Sequence, residues 1–374
     1  MFVLIVIPAF LLMLFYAGYL IRSGWYFRRI RPCSHSHEVE VPMVSVVVVA
    51  RNEAHHIQRC VQSILNQDYP KQRMELLLVD DHSEDDTIQL ARKAANGDSR
   101  LRILELGEVD GPGFKKAAIG LAVQHGQGEW IVTTDADCVV KSTWISTLRT
   151  CFGEGTDMVS GPVFLTGNSV FQSFQALESM GLIAVGAAAI ESGRPTLCNG
   201  ANLAYRKDSF ESVGGFAGLD GIASGDDELL MHKMAAEGKT IVFCKHADCI
   251  VSTPAHETWG GFKNQRIRWV SKSRQYQRRS ITITLVGSYL AMAFLPVVAA
   301  FSLLDSRAPW LLLGLFFMKM LAEAWVLIPA ARFFGKLPLV VWLPLEQVAH
   351  VAYVLWVGIA ANRKQYVWKG RMVR

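Results

Sequence analysis

Two aspartates one residue apart, Asp135 and Asp137, close the apolar, β-branched run at 131–134 in Glu129-Trp130-Ile131-Val132-Thr133-Thr134-Asp135-Ala136-Asp137-Cys138. Strand alternation would point both carboxylates the same way, and a loop just past the strand end could still bring them to one cation. Paired carboxylates, completed by water and phosphate oxygens, suit a hard divalent ion such as Mg2+ or Mn2+. So short a pattern also arises by chance, and its weight depends on the charges around it. Two other apolar runs end the same way, 44–49 on Ala50-Arg51-Asn52-Glu53 and 76–79 on Asp80-Asp81-His82-Ser83. Charges at strand ends add little packing stability, so their repetition points to a shared ligand. Asp226 and Asp227, in Gly225-Asp226-Asp227-Glu228, open a helical stretch that Gly238 closes. They read either as capping and dipole compensation or as a general base. Lys115 and Lys116 read either as a solvated helix start or as cations facing an anionic ligand.

The elements that must hold these residues alternate. Runs at 44–49, 76–79, 101–106 and 131–134 read as short buried strands. Stretches 56–67, 87–95 and 115–124 read as helices, the first with helical apolar spacing at Ile57, Val61, Ile64 and Leu65. Such alternation predicts right-handed crossovers and a mainly parallel α/β sheet, with ligands beyond the C-terminal strand ends. Neither a G-x-x-x-x-G-K-[ST] nor a G-x-G-x-x-G turn follows the first strand, which disfavours P-loop and Rossmann sites. The long Ala/Gly-rich run 170–190, with Gln172, Gln175 and Glu178, reads equally as an interfacial element or a buried helix.

Both ends of the 374-residue chain are apolar, and 51% of it is hydrophobic. Residues 1–21 are long enough to cross a bilayer. The arginines 22, 28, 29 and 31 follow this run, where a signal peptide would place its charges first, so an uncleaved anchor is expected. Runs 281–304, 309–331 and 338–361 close the chain. Lys319 and Glu323, four apart, can neutralise each other on one helix face. Glu346, Gln347 and His350 must face other helices, a cavity or the interface. Three full crossings would put the basic tail (Arg363, Lys364, Lys369, Arg371, Arg374) opposite to the positive-inside rule, so the Pro-containing last run is expected to be irregular. The net charge of +5 concentrates beside these runs, which favours a membrane surface over nucleic acid. Seven cysteines in no paired spacing argue against a disulfide framework and for a reducing compartment. At 256–279, Trp259, Phe262, Ile267, Trp269 and Tyr276 interleave with Lys263, Arg266, Arg268, Lys272, Arg274, Arg278 and Arg279, as in a helix lying on anionic headgroups.

Taken in order, Val44 to Glu53, Val79-Asp80-Asp81-His82-Ser83, Thr134-Asp135-Ala136-Asp137, Gly225-Asp226-Asp227-Glu228 and Gln265-Arg266-Ile267-Arg268-Trp269 resemble the motifs of membrane-bound family-2 glycosyltransferases. The resemblance spans Pro42 to Trp269. It implies an α/β GT-A domain with one N-terminal and about three C-terminal transmembrane or interfacial helices. The organisation expected is an anchor at 1–21, a basic linker at 22–41 and a catalytic domain at 42–255. An interfacial segment at 256–280, membrane helices at 281–361 and a basic tail at 362–374 follow.

By the same resemblance, Ala50, Arg51, Glu53, Asp81, Lys115, Asp135, Gln265 and Arg268 would bind a nucleotide sugar, with UDP as the nucleotide. Asp135 and Asp137 would hold the divalent metal. Asp227 would be the base, and Gly200, Asp226 and Trp269 would face the acceptor. Phe114 stands where the family commonly has glycine. Cys198-Asn199-Gly200-Ala201-Asn202, then Tyr205-Arg206 and Gly214-Gly215-Phe216, resemble the segment shaping the acceptor side. Trp368-Lys369-Gly370-Arg371 resembles the tail of ceramide glucosyltransferase-like members. The implied activity is an inverting transfer from a UDP-sugar to a membrane lipid, at the inner face of a plasma membrane, with the catalytic domain cytoplasmic. A processive polysaccharide synthase, which shares Q-x-x-R-W, and a non-catalytic nucleotide-sugar-binding module are the competing readings.

Overall fold

The computed structural model describes residues 2–33, 40–109, 111–219, 221–276, 278–360, 366–368 and 371–373. Contacts divide the chain into two units, Ile30–Gly167 with Ala189–Ala255 and Val367–Arg374, and Met1–Arg29 with Asn168–Ala188 and His256–Tyr366.

After an N-terminal helix α1 (Phe2–Arg29), which belongs to the second unit, the first unit opens with β1 (Val44–Ala50), α2 (Ile57–Leu65) and β2 (Met74–Asp80). It continues through α3 (Thr87–Ala95), β3 (Leu101–Glu105), α4 (Phe114–His125), β4 (Trp130–Asp135) and α5 (Trp144–Arg149). Short strands β5 (Met158–Ser160) and β6 (Val163–Thr166) lead to helix α6 (Val170–Glu191), most of which belongs to the second unit, and the first unit resumes with β7 (Leu203–Arg206) and α7 (Lys207–Ser212). Helix α8 (Glu228–Ala236), β8 (Ile241–Phe243) and β9 (Val251–Pro254) complete the unit. Seven strands form one sheet in the order β3-β2-β1-β4-β7-β5-β8. Neighbours among β3, β2, β1 and β4 run parallel, and β7 runs antiparallel to both β4 and β5. Strands β1 and β2 are buried nearly end to end, as their unbroken Val and Leu runs require. Ile57, Cys60, Val61, Ile64 and Leu65 give α2 one buried face.

The expected parallel α/β architecture is therefore present. Against the sequence reading, Cys33 and Cys151 form a disulfide across 118 residues. Nothing local announces a pairing that distant, and the odd cysteine count conceals it.

In the second unit α1 packs on α10 (Arg279–Phe301) and α11 (Ala308–Phe333). Helix α9 (Trp259–Ser271) and α12 (Leu343–Ala360) also meet. Helix crossings use small residues: a Cβ on Gly24 would meet the Trp325 ring at 2.5 Å, one on Gly287 the Phe15 ring at 2.5 Å and one on Gly358 the Tyr289 ring at 2.3 Å. Among the described residues, five helical stretches are long and apolar enough to cross a membrane, namely α1, α6, α10, α11 and Leu337–Ala360.

The helix expected to stop at residue 21 runs on to Arg29, so Arg22, Arg28 and Arg29 lie within it. Asn168–Ala188, read above as part of the 42–255 domain, groups with the membrane helices. The last run is irregular only at its start, where Leu337–Trp342 forms a 3-10 turn before α12. Near the C-terminus, β10 (Tyr366–Trp368) and β11 (Arg371–Val373) pair with each other. Arg363, Lys364, Lys369, Gly370 and Arg374 lie outside the described residues.

Candidate active site

Register brings the first three motifs to one edge of the sheet. Ala50 pairs with Asp80, and Val49 pairs with both Val79 and Asp135. The turns after β1 and β2 each contain a non-glycine residue in the left-handed region, Asn52 at φ 52° and His82 at φ 57°. They hold each other: Asn52 N–H donates to Ser83 Oγ at 3.2 Å, and Glu84 N–H donates to Asn52 Oδ1 at 2.8 Å. The Arg51 guanidinium is buried and donates to the carbonyls of Asp81 (2.8 Å) and His82 (2.9 Å). Its observed task is to shape the second loop. Asp81 is fully buried, with His82 Nδ1 3.2 Å from its Oδ1. Glu53 N–H donates to Thr87 Oγ1 at 2.7 Å, which fixes the first loop to the start of α3.

Beyond β4, Lys115 at the start of α4 joins two motifs. Its Nζ lies 2.7 Å from Asp135 Oδ1 and 3.1 Å from Asp226 Oδ2. Burial opposes its charge, but the Asp135 and Asp226 carboxylates outweigh that and raise its pKa, so it stays an ammonium. Lys116 is also buried, its Nζ donating to the Ile222 carbonyl and, at 3.1 Å, to that of Ser224. The solvated-helix-start reading of this pair is therefore overturned: both lysines have partners far away in sequence.

Gly200 is the joint. Its N–H donates to Asp227 Oδ2 at 3.2 Å and its carbonyl accepts from Thr133 Oγ1 at 2.7 Å. A Cβ there would stand 3.0 Å from Asp226 Oδ2 and 3.4 Å from Asp227 Cβ. Asp227 Oδ1 also accepts the Glu228 N–H at 2.7 Å, capping α8. The capping role weighed from sequence is thus present, and it fixes this carboxylate beside Asp226.

Among the described residues, Asp135, Asp137 and Cys138 have ligand atoms within 4.8 Å of one another. Two carboxylates match a hard cation. The Cys138 thiol does not: burial, with Asp137 and Asp135 adding to it, pushes its pKa well up, so it stays protonated.

The Gln265–Trp269 segment lies on α9, in the membrane unit. Arg266, expected at the headgroup surface, instead turns inward and is 2% exposed. It forms an ion pair with Glu178 of α6 at 2.5 Å, and its Nη1 donates to Gln265 Oε1 at 2.5 Å. Its guanidinium stacks over Phe262 and Trp269, 4.5 and 4.3 Å from the ring centroids. Gln265 and Trp269 are therefore oriented through Arg266.

Residues 45–214 match the model of "Glycosyl transferase family 2" and residues 130–343, more than half of the chain, that of "Glycosyl transferase family group 2". The chain belongs to glycosyltransferase family 2. Relatives of this family-2 glycosyltransferase include Glycosyltransferase AglE of Haloferax volcanii, 29% identical over 208 residues, 54% of this chain and 64% of that protein. Beta-monoglucosyldiacylglycerol synthase of Nostoc sp. is 31% identical over 114 residues, 30% of this chain and 24% of that protein. The chain thus matches less than two thirds of either relative's length. The mannosyltransferase PcManGT of Pyrobaculum calidifontis, solved with GDP-Man and Mn2+, has the same fold, with TM-score 0.65 at 19% identity. That comparison covers 92% of this chain and 99% of the other.

Several residues of this family-2 glycosyltransferase escaped the sequence reading. Asn52 and His82 could have been flagged as turn residues after strands, since Asn and His tolerate positive φ better than most. Asn202 is fully buried, accepting from Trp144 Nε1 at 3.0 Å and donating to the carbonyls of Pro162 (2.8 Å) and Cys249 (2.7 Å). A Cβ on Gly161 would collide with its amide at 2.3 Å. No local pattern distinguishes such a tie from any other asparagine.

Proposed function

We propose that this protein is an inverting, metal-dependent glycosyltransferase that moves a sugar from a UDP-sugar to a hydroxyl of a membrane lipid. The observation that supports the reading is the double ion pair of Lys115, which joins Asp135 of the D-x-D to Asp226, the neighbour of the candidate base. Asp227, held by the N–H groups of Gly200 and Glu228, takes the proton of the acceptor hydroxyl. The hydroxyl oxygen attacks the anomeric carbon as the bond to the nucleoside diphosphate breaks, and one displacement inverts that centre. Asp137, with Asp135, would hold the divalent ion, which when bound supplies neutralisation of the departing diphosphate's charge. Asp81 and Arg51 would border the base, Ala50 and Glu53 the nucleotide, and Gln265 and Arg268 the diphosphate. Gly200, Asp226 and Trp269 would meet the acceptor. The membrane helices and the Nostoc relative, which is named as a glycolipid synthase, support a lipid acceptor. Arginines 22, 28 and 29 at the end of α1 support a cytoplasmic catalytic unit.

The test incubates membranes containing the protein with a panel of labelled UDP- and GDP-sugars and identifies products by thin-layer chromatography and mass spectrometry. One inverted glycolipid formed from a UDP-sugar is expected. A ladder of polymer lengths favours the processive synthase, and transfer from a GDP-sugar alone overturns the donor assignment.

A further inference from the structure

The membrane unit buries more charge than helix packing requires. On α11, Lys319 Nζ lies 2.7 Å from Glu323 Oε1. Gln347 of α12 accepts from Lys319 at 3.0 Å and donates to Glu323 Oε2 at 2.6 Å, while Tyr16 of α1 donates to Glu323 Oε1 at 2.7 Å. His350 Nδ1 stands 3.6 Å from the same oxygen. A second pair, Arg266 and Glu178, receives the Tyr353 hydroxyl at Glu178. In these two pairs Lys319 and Arg266 match Glu323 and Glu178. Glu346 stands outside both pairs. It is 9% exposed, and its Oε2 has no hydrogen-bond partner among the described residues. Helical spacing puts Glu346, His350 and Tyr353 on one face of α12. His350 and Tyr353 on that face reach Glu323 and Glu178, so Glu346 faces the same cluster.

Polar residues that only join helices satisfy one another. An ionisable side chain left over inside a membrane bundle marks a site of function. We propose that Glu346 is the centre of a binding site for the hydroxyl head of an uncharged membrane lipid. The charge balance selects that class. A phosphate head would face three carboxyl groups while Lys319 and Arg266 are already paired. A hydroxyl can donate to Glu346 Oε2, or accept from the carboxyl when it is protonated. A diacylglycerol, or a glycerolipid whose head is a sugar, has this chemistry. The inference deepens the lipid-acceptor reading by naming the lipid class, and it is tested by binding, without turnover.

The full chain is placed in phosphatidylcholine nanodiscs with a photoactivatable diacylglycerol, and crosslinked peptides are mapped by mass spectrometry. Label is expected on α11 or α12. Unlabelled diacylglycerol should compete it away, and phosphatidic acid at the same mole fraction should not. Glu346→Leu should cut labelling at least tenfold with nucleotide affinity intact, the latter showing that the variant is folded. Glu346→Gln keeps a hydrogen-bonding terminus and should retain at least half of the label. Equal labelling of Glu346→Leu and wild type overturns the site, as does equal competition by phosphatidic acid. Should Glu346→Leu fail to fold, the competition in wild type decides alone. A chain that labels as expected yet glycosylates only water-soluble acceptors keeps this site and loses the acceptor reading. One that glycosylates lipid without labelling loses the site alone.

Discussion

Asp227 both caps α8 and stands as the candidate base, and asparagine separates these duties. Asparagine caps a helix as well as aspartate does but keeps one acceptor, so Asp227→Asn should hold the Glu228 N–H, lose the Gly200 hydrogen bond at a cost of about 1–3 kcal/mol, and leave nucleotide affinity unchanged. It cannot take a proton, and initial rates should show kcat falling about 10²- to 10⁴-fold. Lys115→Met leaves the Asp135 and Asp226 carboxylates without their shared cation. Here kcat/KM should fall about 10²-fold, the scale of losing one well-placed electrostatic group. Chelation should abolish transfer and Mn2+ restore it, with Asp137→Ala raising the metal concentration needed. His256 adds a pH effect. Burial, with Arg266 and then Arg268, lowers its pKa. The folded value lies below the unfolded one, so its contribution is complete above about pH 6.5 and is lost as pH falls through the folded value. Thermal melts should drop between pH 7 and pH 5 in wild type and less so in His256→Gln. The backbone of this residue is held independently, by Gln175.

Among the elements, α9 shows how one inward arginine can set a helix face. Arg266→Ala would leave Glu178 buried and uncompensated, at a cost of about 3–5 kcal/mol. Replacing both residues by methionine should recover most of that loss, and thermal unfolding of wild type, Arg266→Met, Glu178→Met and the double variant in nanodiscs gives the coupling energy. The basic-aromatic pattern of 256–279 was legible, but the direction of Arg266 was not. Its partner Glu178 is 88 residues away, and helical spacing alone cannot tell a headgroup from a carboxylate. Strands β1, β2 and β4 were legible because buried parallel strands carry unbroken apolar runs. β5, β6, β8 and β9 have three or four residues each, too few for any period to register.

Across the molecule, what could be read in advance was whatever sits within a few residues of its own signal: the acidic strand ends, the apolar spans and the Lys319–Glu323 pair. What could not be read depends on contacts across the chain. Lys116 is fixed by carbonyls 106 and 108 residues away, and Asn202 ties together Trp144, Pro162 and Cys249. Asn202→Ala would strand three buried polar groups and should lower stability by several kcal/mol, at about 1–3 kcal/mol for each. Urea unfolding measures this.

The bridge between Cys33 and Cys151 also bears on sidedness. Closing a loop of that span is worth about 4.7 kcal/mol in the chain-entropy account, but only where thiols are oxidised, and a cytosol keeps them reduced. The sulfur pair therefore acts as a compass for the catalytic unit. Of seven cysteines, five are free when the bridge is closed. Denatured protein taken directly from cells and tagged with a maleimide polymer should carry seven tags if the unit faces the cytosol. Five tags, rising to seven after reduction, would turn the whole enzyme to the other side of its membrane.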